Sequence, residues 1–399
     1  MRATKATIRA VNRLTARWAD ALDGQTVYTA AGVWPLLAFL ADGAAGRARA
    51  ELEEALGVPA DEAGPAAREL LAGMAAMRGL DTTVGLWTKR TLELRKAWEA
   101  GLPAEAHGVL TGNPEADRAA LDGWAAGRTG GLVPRMPVPL TDRTELVLAN
   151  ALALRTRWLQ PFQEHPWGPE DGPWNDRVLA GLSRRSALLD RIGVADTPWG
   201  HVTELKVLGD RAIDVHLLLG EDHMSPGQVL RAGVDVLARR HPVVPGRQLP
   251  YGEVGPGLQV VKERSTTPDP PTLYVRTPAF DITAHHDLLS LHALFGLTSA
   301  RDDRVGHFPG VSAFPLAVGS AQQSAVATFG AVGFQAAAVT AIGMPAGGVP
   351  RPRWVTTSAE ARFDRPFGFL ALHRHSRLVL AAGWVTEPQA FTDEPEVFE

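Results

Sequence analysis

The chain has 399 residues, 45% hydrophobic and 21% charged, with a formal net charge of −4. That is globular composition, and without a basic block it argues against nucleic acid as a partner. There is no cysteine, which excludes disulfides, thiolate catalysis and cysteine-based zinc sites.

The opening stretch, MRATKATIRAVNRLTARWADAL, is basic but lacks the apolar centre of a secretory signal. It reads as an amphipathic helix over 8–22, with Ile8, Val11, Leu14 and Trp18 on one stripe. No run of about eighteen apolar residues occurs, so no membrane partner is expected. The expected location is the cytoplasm, with extracellular release as the alternative. TVYTAAGVWPLLAFLADGA predicts a short strand and then a buried helix carrying Leu36, Phe39 and Leu40. GRARAELEEALG predicts a helix stopped by Gly57. TTVGLWTKR alternates as a strand through Val84 and Leu86, and DRAALDGWAAGRTGG is a helix ending at glycines.

From Leu146 to Leu154 the chain is almost continuously apolar, as a strand buried on both faces in mid-sheet should be. VTELKVLGDRAIDVHLLLG predicts two strands about a turn at Gly209 and Asp210. SPGQVLRAGVDVLARR is a helix capped by Ser225, with Pro226 in its first turn. TLYVRTPAFDITAHHDL predicts a strand, then a helix reaching Leu294 and Phe295, while SAVATFGAVGFQAAAVTAI is extended or undecided. A hairpin closes the pattern, with strands Phe367–Leu372 and Leu378–Val385 and a turn near His375 and Ser376. Only a loose Pro/Gly region at 241–272 interrupts, so the expected architecture is one α+β domain over 1–399, with large mixed sheets.

Several segments in order resemble the serpin family. VLANALALRTRWLQPF is similar to its buried strand, through Asn150, Trp158, Pro161 and Phe162. FDRPFGFLALHRHSRLVLAAGWVTEP resembles its C-terminal hairpin, through Phe363, Pro366, Phe367, Gly383 and Pro388. ADGAAGRARAELEEALG, LDGWAAGRTGGLV and HDLLSLHALFGLTSARDDRVGHFPGVS fall where its helices are expected, so the likeness covers roughly 8–389. The resemblance implies about eight or nine helices and an exposed reactive loop at about 333–360. It also implies suicide inhibition of a serine endopeptidase, as a monomer: the protease cleaves the loop, and the loop inserts into the central sheet before the acyl-enzyme is hydrolysed.

A segment that must enter a sheet should be small, uncharged and free of proline. Phe334 to Met344 carries no charge and no proline, and Pro345 ends the insertable part. Gly333, Gln335, Ala336, Ala337, Ala338, Val339 and Thr340 fit the family's hinge. Phe334 departs from it, because a small residue is usual there. It shares a strand face with Ala336, Ala338 and Thr340, and forcing it into a filled core would cost about 1–3 kcal/mol. That predicts slow insertion, and with it the alternative of a non-inhibitory serpin used for binding or as a scaffold. Family spacing points near Gly347 and Gly348 for the cleaved bond. Bonds before proline are poor substrates, which leaves Ala346-Gly347, Gly347-Gly348 and Arg353-Trp354. The first two suit a subtilisin-like or elastase-like protease and are favoured, and the third suits a trypsin-like one.

The resemblance also implies a polar cluster beneath the sheet, which maps here onto Asn150, Thr29, Gly32 and Gln323, with Trp158 at the top. Gln323 can hydrogen-bond Asn150 but does not titrate. His285, His286, His373 and His375 lack an evident third ligand and read as surface histidines, so neither metal nor cofactor is expected. No clustered basic helix suggests a polysaccharide partner. Ser312 and Ser320 lie outside any G-x-S-x-G, and no H-E-x-x-H or phosphate-binding loop occurs, so the chain does not read as an enzyme.

Overall fold

The structure is a computed structural model and describes residues 3–334 and 354–392. The first part runs α1 (Lys5–Ala19), β1 (Thr26–Tyr28), α2 (Ala30–Asp42), α3 (Gly46–Leu56) and α4 (Ala60–Ala75). Next come β2 (Leu80–Lys89), α5 (Lys96–Gly101), β3 (His107–Leu110) and α6 (Pro114–Thr129). The middle is mostly strand: β4 (Leu146–Leu154), β5 (Thr156–Arg157), β6 (Gln163–Trp167), β7 (Leu179–Ser186), β8 (Ile192–Thr197), β9 (Gly200–Val207) and β10 (Ile213–Gly220). After α7 (Pro226–Leu237) follow β11 (Val243–Pro245), β12 (Gly252–Gly255), β13 (Leu258–Ser265), β14 (Thr272–Pro278) and β15 (Phe280–Asp287). The last part holds α8 (His292–Phe295), β16 (Ser320–Phe329), β17 (Gly333–Phe334), β18 (Trp354–Arg362), β19 (Phe367–His373) and β20 (Val379–Val385).

The elements form where local chemistry favours them. Thr4 caps α1, its hydroxyl accepting from Thr7 N at 3.1 Å, and the Ile8, Val11, Leu14, Trp18 stripe is buried. Every residue of α2 from Ala30 to Ala41 is buried, as an all-round apolar helix must be. Gly57 ends α3 at φ 70°, a left-handed conformation that costs glycine little. Ser225 and Gln228 form a reciprocal capping box at α7.

Three sheets result. One has the order β1-β20-β19-β10-β9-β8-β11 and another β12-β13-β18-β14-β7-β6. The central sheet runs β3-β2-β4-β16, with β15 on the outer edge of β16. All nine residues of β4 are buried. Phe280 and Phe329 stack at 5.2 Å, and Phe280 lies 5.1 Å from Phe369, so aromatic packing joins the central sheet to the C-terminal hairpin.

Three expectations change. The helix expected before Leu294 is mostly β15; Phe280 and Ile282 turn inward and Asp281, Thr283, His285 and Asp287 outward, which is the period of a strand. Region 241–272 is not a linker but contributes β11, β12 and β13. The undecided stretch is β16, a strand of small and polar residues that tertiary pairing decides.

Candidate functional site in the seam of the central sheet

Strands β4 and β16 are parallel neighbours from Val147↔Ser320 to Leu152↔Ala325. Above that the ladder splits, and β17 occupies the gap. It pairs antiparallel with β16 at Phe329↔Phe334 and with β5 at Arg157↔Gly333 and Thr156↔Phe334. The turn between β16 and β17 is closed by Gly330 N donating to Gly333 O at 3.0 Å. Gly333 is needed there, because a Cβ would lie 2.4 Å from Thr156 O.

Trp158 and Phe162 hold this turn. Trp158 N donates to Val332 O at 3.0 Å, its indole Nε1 donates to Gly330 O at 2.9 Å, and Phe162 N donates to Ala331 O at 2.8 Å. The Trp158 ring packs 5.0 Å from Phe329. Phe334 is 1% exposed, with its ring 6.1 Å from Phe369. This corrects the expectation that Phe334 must force its way into a filled core on insertion. Its ring already has a seat, so that overpacking cost does not attach to a later step.

Lower in the seam, Asn150 stands opposite Gln323. Gln323 Nε2 donates to Asn150 Oδ1 at 3.1 Å and to Thr29 O at 2.8 Å, while Gln323 Oε1 accepts from Thr29 N at 2.8 Å. Asn150 Nδ2 donates to Thr83 O at 2.8 Å, which ties β4 to β2. The Thr29 hydroxyl caps α2 by accepting from Gly32 N at 3.2 Å. A Cβ on Gly32 would lie 2.2 Å from Asn150 Oδ1, so glycine leaves room for the amide. Asn150 and Gln323 are both 0% exposed, so each bond here replaces one to water. The structure thus brings Asn150, Thr29, Gly32 and Gln323 together and sets Trp158 above them. The Thr83 carbonyl was not foreseen, because a backbone acceptor leaves no mark in a sequence.

Gln335, Ala336, Ala337, Ala338, Val339, Thr340, Ala346, Gly347, Gly348 and Arg353 lie outside the described residues. Trp354 opens β18 opposite Ser265 and is 51% exposed. The segment 335–353 therefore joins the split of the central sheet to a different sheet. The histidines have other partners. His285 Nδ1 lies 2.8 Å from Ser324 Oγ, and His286 Nε2 lies 2.9 Å from Val27 O, with burial lowering the His286 pKa. His373 and His375 stand edge to face at 5.6 Å. Among the described residues, no group of three or more His, Asp or Glu is placed to hold a metal.

Comparison with known proteins follows this geometry. The family model for serpins, described as serine protease inhibitors, matches residues 4–171. A protein of Oryza sativa subsp. japonica named as serpin-Z6C is 27% identical, over 93% of this chain and 92% of its own. The family model and this relative support the serpin family for the chain. Solved serpin-fold structures agree in architecture. The thermophilic serpin tengpin in its native state superposes with a TM-score of 0.74 at 13% identity, covering 95% of this chain and 94% of that one. Human thyroxine-binding globulin, solved as a complex with thyroxine, gives 0.71 at 17% identity, covering 96% and 98%. With eight α-helices among the described residues and three sheets, the fold is that of a single serpin domain.

Proposed function

We propose that this serpin is a suicide inhibitor of a serine endopeptidase. One observation carries the reading: Gly333 and Phe334 already pair on both sides within the split, pointing down the seam between β16 and β4. Continued in the same register, Thr340 would fall between Asn150 and Gln323, and Gly343 between Val147 and Ser320. Pro345 would fall past the end of β16. On insertion Gln335 to Gly343 would fill the seam at a rise of about 3.3 Å per residue, without a charge or a proline.

The chemistry belongs to the protease. Its serine oxygen attacks the scissile carbonyl, the peptide C–N bond breaks, and the new amine end leaves. An ester then joins the N-terminal part of the loop to the enzyme. Insertion between β4 and β16 competes with hydrolysis of that ester, and trapping requires insertion first. Ala346-Gly347 or Gly347-Gly348 fits a protease with a small specificity pocket, subtilisin-like or elastase-like. The trypsin-like alternative at Arg353-Trp354 is less suited, since Trp354 belongs to β18. The non-inhibitory alternative draws support from the thyroxine-bound neighbour and no longer from Phe334.

Incubation with subtilisin and with trypsin tests the reading. A denaturant-resistant complex is expected with subtilisin, and clipped inhibitor should melt well above the intact form. Clean cleavage with no complex and no rise in melting temperature would overturn it. Mass spectrometry of the clipped chain locates the bond.

A further inference from the structure

Away from the seam, a cavity of about 480 Å³ opens between α1, the end of α7 and the turn of the C-terminal hairpin. Lys5, Arg9, Arg13 and Arg17 line it from one face of α1. They recur at intervals of four, so the helix stacks like charges on one another, which is unfavourable without counter-ions. Arg231, Arg239 and Arg240 join them from α7 and the residues just after it, and Arg377 joins from the hairpin turn. Against these eight cations the lining holds one carboxylate, Asp235, which Arg240 pairs at 2.7 Å. This face of α1 corrects the expectation that no clustered basic helix occurs, in a chain whose net charge is −4.

Some of the cations are committed. Arg17 donates to the carbonyls of Glu54, Ala55 and Leu294, Arg231 pairs Asp20 at 3.2 Å, and Arg377 donates to Leu237 O at 3.0 Å. Lys5, Arg9, Arg13 and Arg239 have no acidic partner among the described residues. Arg239 and Arg377 sit at φ 59° and 61°, two of three non-glycine residues with positive φ in the described chain. Glycine would hold both turns with less strain, yet each carries a guanidinium facing the cavity. The floor is apolar, made by Ile8, Val234 and Leu237.

We propose that this cavity binds a compact polyanion, a small molecule carrying several phosphate groups. The volume suits a small molecule, and a site that concentrates positive potential gains most from a ligand with several charges. Arginine forks match phosphate oxygens in pairs. A monoanion would leave most of the cations unneutralised, and a long polymer would use little of the cavity's depth.

Calorimetric titration of the full chain with sodium tripolyphosphate, at low salt to limit screening, tests this. One saturable site is expected, with orthophosphate binding more weakly. The variant combining Arg9→Ser, Arg13→Ser and Arg239→Ser should weaken tripolyphosphate by roughly tenfold or more. All three side chains are exposed, so its unliganded melting temperature should match or exceed the parent's, which verifies folding. Absence of saturable heat, or unchanged affinity in the triple variant, would overturn the proposal. Heparin binding tightly at several proteins per chain while tripolyphosphate does not bind would also overturn it, in favour of an extended surface for polysaccharide.

Discussion

Gln323 Nε2 and Asn150 Oδ1 meet across the central seam at 3.1 Å, directly below the point where the ladder splits. The pair bridges β4 and β16 with a bond that the proposed insertion would have to break. Asn150→Ala would remove the side-chain donor to Thr83 O and leave Gln323 Nε2 with the Thr29 carbonyl as its remaining acceptor, both away from water. The expected cost is about 2 kcal/mol. It should appear as a lower urea midpoint for the intact form, with more oligomer after mild heating, because an opened seam can accept a neighbour's strand. An unchanged midpoint would remove the pair from any role in closure.

Phe334 offers a second test, in which sequence and structure predict opposite signs. If the ring obstructed insertion, Phe334→Thr would improve inhibition. Since the ring is already seated beside Phe369, the same change removes buried contacts worth up to about 3 kcal/mol. The intact form should melt lower, and more loops should be cleaved per protease trapped. A titration of protease against inhibitor measures that ratio directly.

What could be read from the sequence follows from how strongly each residue announces its surroundings. The run from Leu146 to Leu154 is apolar enough to be bounded correctly as β4. β16 carries Ser320, Gln322, Gln323 and Ser324, all buried, and only its neighbours make it a strand. Asn150, Thr29 and Gln323 could be grouped through a family likeness, whereas their link to the Thr83 carbonyl needed the register of β2 against β4. The seat of Phe334 depends on Phe329 and Phe369, which alternation along a strand cannot reveal. The basic cavity was half visible: the spacing of Lys5, Arg9, Arg13 and Arg17 is in the sequence, but Arg231, Arg239 and Arg377 arrive only by folding.

Acid stability should depend on a buried group in another sheet. Glu204 Oε1 lies 2.8 Å from His216 Nδ1, and Glu204 Oε2 lies 3.3 Å from Lys206 Nζ. Burial raises its pKa, but the charge and hydrogen bond of His216, helped by Lys206, outweigh that and hold it at about 2, below its ordinary 4.5. A carboxyl with a depressed folded pKa stabilises the fold above its unfolded pKa and loses that contribution as pH falls through the folded one. A loss on the order of 3 kcal/mol is therefore expected between about pH 4.5 and 2. Glu204→Gln should be less stable at neutral pH and should show a flatter melting profile over that window. Equal slopes for parent and variant would exclude Glu204 as the source.

The register of β17 makes the last prediction residue-specific. Counting on from Phe329↔Phe334 and Thr156↔Phe334, an inserted Thr340 stands between Gln323 and Asn150, on the face that carries Phe334 inward. Both neighbours are fully buried, so Thr340→Arg would carry an unpaired charge into a site with no water, at a cost of several kcal/mol. Insertion should stall there while the protease still forms its ester, and hydrolysis should win. The variant is then expected to be cleaved as a substrate, with little stable complex and little gain in melting temperature on cleavage. Gln335→Glu is the matched control. By the same count it falls beside Arg155 and Thr328 at the mouth of the seam, on the opposite face, where a carboxylate meets a guanidinium. It should inhibit about as well as the parent. If Thr340→Arg traps protease as efficiently as Gln335→Glu does, the loop does not enter in this register, and the seam between β4 and β16 is not its path.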